Sequence, residues 1–366
     1  MTIHMNHPNG VLSGKTVLVT GGTGSMGATF VRRALSGEAG MPRRIIVLSR
    51  DEAKQYHMRV SLLRRWAATD DILYRNFESI LQFRLGDVRN YADVSSAAKQ
   101  ADIIIHAAAL KQVPSCEYFP DQAVLTNCMG AANIVRAIEE HGLPVETVVG
   151  ISTDKACEPV NAMGMTKALQ ERILIAANVL SPSTRFVCTR YGNVLSSRGS
   201  VVPLFQEQIR NGGPVTVTVP EMTRFLLTLD EAIDTVFAAL RDALPGDIFV
   251  PDAMAASVIN LAKAMIGDRD IAIECIGRRP GEKLHEIMVS DEEAPRALRR
   301  GDYYAIRPML PELARADDTA DEPALRDRLS SFDRVVDLEQ TIAMLRKNGT
   351  LPADARPRQR SLTIPS

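Results

Sequence analysis

The sequence predicts an α/β protein, a doubly wound parallel sheet followed by a smaller C-terminal region. Three observations carry this. Short β-branched runs alternate with helix-like segments from Lys15 to Asn193, the first run opens into a glycine-rich turn, and the alternation loosens after Asn193. Continuous apolar runs suit strands covered on both faces, and helices between them make successive strands parallel. Such a chain winds its helices over both faces of one sheet.

The predicted strands are, in order, TVLVT (16–20), RIIVLS (44–49), ILQFRLGD (80–87), ADIIIHAAA (101–109), TVVGIST (147–153) and RFVCTRYGN (185–193). The Gly- and Pro-marked segments SSRGSVVPLF, NGGPVTVTVP and GRRPGEKLHE then open a second region. LDEAIDTVFAALRDA (229–243) has helical apolar spacing and IFVPD (248–252) reads as a strand, so the chain returns once to the first domain. The expected division is residues 11–195, with 225–250 returning, against a second region of 196–224 and 251–350 and a tail of 351–366. The final RPRQRSLTIPS is expected to fray.

The 366 residues are 45% hydrophobic and 24% charged, enough apolar content for a sizeable core. Net charge is −1, from 43 basic and 44 acidic residues, and basic doublets such as Arg32-Arg33 and Arg299-Arg300 are spread rather than massed. This argues against a nucleic-acid partner. Five cysteines, Cys116, Cys128, Cys157, Cys188 and Cys275, show no C-x-x-C pairing, so neither a disulfide framework nor a metal site is expected. The polar start MTIHMNHPNG lacks the apolar run of a signal peptide, and no stretch reaches the ~18 to 20 apolar residues of a membrane span. A cytoplasmic protein without a membrane partner is expected.

The first strand runs into TGGTGSMGATFVRRAL, with Gly21, Gly24 and Gly27 in a G-x-x-G-x-x-G pattern. A strand, a glycine turn and a helix N-terminus bring backbone N–H groups onto a pyrophosphate, which predicts a dinucleotide site. The second strand ends in VLSRDEAKQ, placing Ser49 and Arg50 at the adenosine ribose with Lys54 a turn later. A guanidinium there suits a 2′-phosphate, and so NADP, whereas Asp51 on the ribose would suit NAD. Asp87 follows the third strand and can meet the adenine edge. Ala107, Ala108 and Ala109 follow the fourth, where small side chains admit a cofactor. His106 reads as a packed strand residue.

The segments SRDEAKQ, GDVRN, HAAALKQVPSCEYFP, STDKA, NAMGMTK, RYGNVLSSRGSVVPLF, MTRF and RRPGEKLHE, spread over about residues 14 to 305, resemble the extended short-chain dehydrogenase/reductases. More narrowly they are similar to the NADP-dependent UDP-N-acetylglucosamine 4,6-dehydratases, and NAMG with GDYY (301–304) resembles the capsular, C5-inverting branch. The resemblance implies a Rossmann fold, tightly bound and recycled NADP, a UDP-sugar substrate and a homo-oligomer, dimer or hexamer. Two features depart from the pattern. The interval from Arg59 to Phe83 is longer than in that branch, and the superfamily's Tyr-x-x-x-Lys becomes Met163-Gly-Met-Thr-Lys167, a change that the capsular branch shares.

The implied reaction oxidises C4 of the sugar to a ketone, which acidifies the C5 proton. The 6-hydroxyl then leaves as water and the hydride returns to C6. By resemblance Asp154 is the acid at O6, Lys155 the base at C5, and Lys167 the holder of the nicotinamide ribose. Met163 has no proton to exchange. Thr153 can hydrogen-bond O4, which leaves Lys155, its pKa lowered by Lys167 and partial burial, or a relay through the ribose to Lys167, to take the O4 proton. Further cofactor contacts implied are Thr23, Ser25, Met26, Val88, Lys111, Asn127, Tyr191 and Asn193. Substrate contacts fall on Lys111, Asn193, Arg198, Gly199, Ser200, Val202, Arg279 and Glu282, with Arg279 on the diphosphate and Glu282 on the ribose. Two other readings stand beside this one, a UDP-sugar 4-epimerase and a non-catalytic NADP-binding regulator of the same fold.

Overall fold

The computed structural model describes residues 10–64, 79–195, 200–315, 322–347 and 349–351. The elements begin β1 (Thr16–Thr20), α1 (Ser25–Leu35), β2 (Arg44–Ser49), α2 (Glu52–Arg64), β3 (Leu81–Leu85), α3 (Tyr91–Ala98) and β4 (Ile103–His106). Next come α4 (Val113–Tyr118), α5 (Pro120–Ala123), a π-helical segment Val124–Met129, α6 (Gly130–His141), β5 (Thr147–Ile151), α7 (Ala162–Leu180) and β6 (Arg185–Thr189). Then follow β7 (Asn193–Val194), α8 (Val201–Arg210), β8 (Val215–Val217), β9 (Thr223–Leu227), α9 (Leu229–Asp242) and β10 (Ile248–Pro251). The remainder is β11 (Ala255–Ser257), α10 (Val258–Ile266), β12 (Ile273–Cys275), β13 (Ile287–Val289), β14 (Ala297–Arg300), β15 (Tyr303–Ile306), β16 (Leu329–Ser330) and α11 (Leu338–Lys347).

The chain divides into two compact units. The first comprises Met1–Tyr191, Leu229–Asp252 and Ile287–Leu329; the second Gly192–Thr228, Ala253–Glu286 and Ser330–Ser366. The first unit holds a nine-stranded sheet in the order β14-β15-β10-β6-β5-β4-β1-β2-β3. The strands from β10 to β3 in that row run parallel, and β15 and β14 close it antiparallel. The order reverses between β1 and β4, which sets the ligand-binding crevice at their carboxyl ends.

The doubly wound parallel sheet predicted from the apolar runs is present. β1, β4 and β5 are buried along their whole length. β3 is not: it pairs with β2 alone at the sheet edge, and Leu85 is 61% exposed. Helix α9 packs on α1, with the Phe30 and Phe237 rings 5.6 Å apart and Arg33 both lying over Phe237 and bonding Asp234 at 2.6 Å. Burying one such phenylalanine contributes roughly 1.5–3 kcal/mol. Asp230 and Glu231 in its first turn and Arg241 in its last complement the α9 dipole.

The expected second region, 251–350, is interrupted. Residues 287–329 belong to the first unit, where β14 and β15 form a hairpin over Gly301, at φ +59, and extend the sheet through β10. ALRR and YYAI are four-residue strands, too short to give a periodic signal. In the second unit β7, β9 and β11 pair, β8 pairs with β12, and Val202, Phe205, Leu226, Ile259, Leu261 and Leu345 lie in one core. Among the described residues no helix is long and apolar enough to cross a membrane.

Candidate active site

At the end of β1 the glycine turn is built by close approach. Gly21 has φ +66, and a Cβ there would lie 2.7 Å from the Ala108 backbone; one on Gly27 would lie 2.6 Å from Gly22 Cα. The backbone of Ala107 and Ala108 thus leaves room for glycine alone at position 21. Gly24 caps α1 without a side-chain bond, and the first turn, with Ser25 and Met26, holds no acidic residue while Arg32 and Arg33 sit in the last. A tight glycine turn and a helix N-terminus free of carboxylates fit a pyrophosphate.

Thr23 Oγ1 and Ser49 Oγ are 2.9 Å apart and fix the turn to the end of β2. Arg50 follows, half exposed, 3.9 Å from Asp87; Lys54 pairs with Asp51 at 2.6 Å. Partial burial opposes ionisation of Asp87, but hydrogen bonds from Arg89 outweigh it and hold the carboxyl below its ordinary range. Two residues expected at the cofactor also make framework contacts. Asn127, in the π-helical segment, accepts from Leu110 N–H and donates to Leu110 O and Thr166 Oγ1, which uses both of its amide hydrogens. Val88 is buried against Gly130, and its carbonyl accepts from Asn133.

The segment after β5 carries the acid–base candidates. Asp154 N–H donates to Tyr191 O at 3.0 Å, which continues the pairing of β5 with β6 past the end of both strands. The Asp154 carboxylate is fully buried; it accepts from Lys155 Nζ and from Thr153 Oγ1, each at 2.9 Å. Lys155 retains 23% side-chain exposure, so the pair has a closed and an open end. Tyr191 is buried, and burial pushes its phenol above the ordinary value.

Asn161 caps α7 by accepting from Gly164 N–H at 2.8 Å. This aims the helix so that Lys167 enters the core beneath β5. Its Nζ donates to Ile151 O and to Gln170 Oε1, both at 2.5 Å, leaving a third N–H. Burial lowers its pKa to about 8, with nearby Glu171 acting the other way. Met163 is 4% exposed and packs with Cys116 and Ala123, so the position expected among the catalytic residues is filled by an apolar contact. Cys116 is an inert buried thiol, its pKa raised by burial. His106 is fully buried, bonded to Thr20 Oγ1 at 2.8 Å, and burial lowers its pKa to about 3.

The second unit contains a cavity of about 520 Å³. Asn193, Ser200, Arg224, Arg279 and Glu282 bring polar groups to it, and Leu204, Phe205 and Ile276 apolar ones. Among the described residues Ser200 Oγ and Glu282 Oε2 are buried without a hydrogen-bond partner, as groups that could meet a polar ligand are. Val202, expected at the substrate, points into the core instead. Arg198 and Gly199 lie outside the described residues, as do 65–78 of the long 59–83 interval. Lys111 is exposed on the loop after β4. Arg224 was legible only as part of MTRF. Its NH1 donates to Thr223 O and Leu284 O while Nε lies 3.7 Å from Glu286, so the guanidinium is held at the cavity.

A dinucleotide turn, an Asp-Lys pair beyond β5 and a lysine on the following helix define an extended short-chain dehydrogenase/reductase. A family model described as polysaccharide biosynthesis protein matches residues 17–308. The chain belongs to this family of nucleotide-sugar-modifying enzymes. It is 44% identical over 297 residues to a UDP-glucose 4-epimerase of Rickettsia conorii, covering 80% of this chain and 82% of the relative. Among solved structures it is similar to Pen from Bacillus thuringiensis, 31% identical with a TM-score of 0.80, over 93% of this chain and 99% of that one. DesIV, a dTDP-glucose 4,6-dehydratase from Streptomyces venezuelae solved with NAD, is 20% identical with a TM-score of 0.62 over 91% and 97% of the chains, a likeness of fold.

Proposed function

We propose that this enzyme dehydrates UDP-N-acetylglucosamine to a UDP-4-keto-6-deoxy-N-acetylhexosamine, inverting C5, with NADP as its recycled cofactor. The observation that carries the reading is the Asp154–Lys155 pair, 2.9 Å apart, with Asp154 buried and Lys155 reachable. Elimination needs an acid for the leaving oxygen and a base for the carbon acid, and neighbouring residues supply both.

The turn of Gly21, Gly24 and Gly27 would hold the pyrophosphate, Ser49, Arg50 and Lys54 the 2′-phosphate, and the third N–H of Lys167 a ribose hydroxyl. When bound, the nicotinamide supplies a hydride acceptor and donor for the sugar. Thr153 orients O4. As the free amine, after losing its ammonium proton to solvent, Lys155 takes the O4 proton and passes it to Asp154, which delivers it to O6 as water departs. Lys155 is then free to take the C5 proton, acidified by the C4 ketone; once C6 is reduced, C5 takes a solvent proton on the opposite face and Lys155 gives its proton up to solvent, which inverts C5 and resets the amine. Arg224 and Arg279 offer two guanidinium forks to the UDP diphosphate, and Ser200 and Glu282 their unpartnered oxygens to the nucleoside.

A second reading, UDP-sugar 4-epimerisation, is favoured by the name of the Rickettsia relative. It requires no acid at O6, which leaves buried Asp154 without a task. Incubation with UDP-N-acetylglucosamine in deuterated water separates the two by NMR. Deuterium at C5 of a 4-keto-6-deoxy product, in the inverted configuration, is expected; a C4 epimer with a protonated C5 would sink the dehydratase reading.

A further inference from the structure

Behind the Thr153–Lys155 segment lies a group of buried charges that the mechanism above does not use. Arg190, one residue beyond β6 and 1% exposed, is gripped by two carboxylates. Its Nε and NH2 donate to Glu171 at 3.1 and 2.7 Å, its NH1 and NH2 to Glu293 at 2.8 and 3.0 Å, and NH1 also to Met288 O at 2.7 Å. Bidentate pairing of this kind fixes orientation as well as charge.

Each carboxylate reaches one end of the catalytic segment. Ser152 Oγ donates to Glu171 Oε1 at 2.5 Å, and Cys157 Sγ donates to Glu293 Oε2 at 3.5 Å. Residues 153–156 are therefore bracketed, through Glu171 on one side and Glu293 on the other, onto a single guanidinium. Glu293 is itself fixed, accepting from Ser290 N–H at 3.1 Å. Burial would favour its neutral form, but Arg190 dominates and holds its pKa at about 2, so it stays ionised.

We propose that Arg190, with Glu171 and Glu293 as its two arms, is the positioning centre of the reaction, holding Thr153, Asp154 and Lys155 by both ends of their segment. Glu293 is thus a determinant of turnover and not of nucleotide binding, because the nucleotide cavity is lined by other residues. The inference rests on the dehydratase reading for its kinetic consequence but not for its structural one.

The test uses Glu293→Gln in the full chain, with Ser152→Ala as a second variant that leaves every buried charge in place. A catalytic segment displaced by about an ångström costs turnover on the order of a hundredfold. Glu293→Gln is expected to lose that much kcat with KM and calorimetric UDP affinity unchanged. In both variants amide hydrogen exchange of the 152–157 peptide should quicken while that of 147–151 does not. Wild-type kcat together with unaltered exchange at 152–157 would overturn the proposal. If the unmodified enzyme dehydrates no nucleotide sugar, the functional reading falls, and the exchange of the two variants still decides this one.

Discussion

Gly164 lies so near the backbone of Lys155 that a Cβ on it would sit 2.3 Å from the Lys155 carbonyl oxygen. The contact is backbone to backbone, so no side chain can swing away to relieve it. Gly164→Ala must therefore shift α7 or the 153–155 segment. The expected destabilisation is roughly 1–3 kcal/mol by denaturant titration, the range for overpacking. A fall in kcat should accompany it although no functional group has changed. An alanine variant of unaltered stability and rate would show that the helix and the segment are not in register.

Burial of Lys167 makes a pH prediction. Its folded pKa of about 8 lies below the ordinary lysine value of 10.5. Between those values the unfolded chain binds the extra proton, so stability rises with pH across that window and the burden is fully present below it. Relative to Lys167→Met, the wild type should gain roughly 3 kcal/mol from pH 7 to pH 10.5. Urea titrations of both proteins at the two pH values measure it; parallel curves would mean that Lys167 is solvated.

Replacing Lys155 with alanine should abolish both proton transfers assigned to it. In a single turnover with UDP-N-acetylglucosamine, the nicotinamide absorbance should stay flat. Asp154→Asn should differ, allowing oxidation at C4 but slowing loss of water by roughly 10²–10⁴, the scale of general acid catalysis. Normal cofactor reduction by Lys155→Ala would move the first proton transfer to another group.

Arg50 and Lys54 together are expected to choose the cofactor. Their double alanine variant should bind NADP roughly 10- to 100-fold more weakly, as follows from losing a charge-assisted bond of about 1.5–3 kcal/mol. NAD affinity should hold. Equal losses for both cofactors, read by fluorescence titration, would place the adenosine ribose elsewhere.

Much of the scaffold was legible because it is written in local pattern. The runs IIVL and VVGI carry no polar side chain since both faces of their strands are covered, and Gly21 and Gly27 mark a turn where backbones must nearly touch. The Asp154–Lys155 pair was readable from STDKA for the same reason. What escaped was long-range. Glu293 meets Arg190 across 103 residues, and its surroundings, SDEEAPR, look like any charged surface loop. β3, grouped with the buried strands, alternates apolar residues with Gln82 and Arg84 in LQFRL, and it lies at the edge of the sheet. Val202 lies within a matching motif, yet its side chain fills the core, and Asn127, outside the quoted segments, braces Leu110. Motif matching locates a residue on the chain without saying which way it faces.

The antiparallel hairpin of β14 and β15 imposes an order of assembly. Because the sheet takes strands from residues 297–306, and Arg190 its second carboxylate from residue 293, a chain growing from its N-terminus cannot finish the first unit early. More than two hundred residues after the glycine turn has been made, the segment that braces Asp154 and Lys155 is still missing. A fragment ending before Ile287 keeps the dinucleotide turn and lacks that brace. The bracket around residues 153–156 is thus closed only late in synthesis, after the glycine turn and all the parallel strands of the sheet have been made.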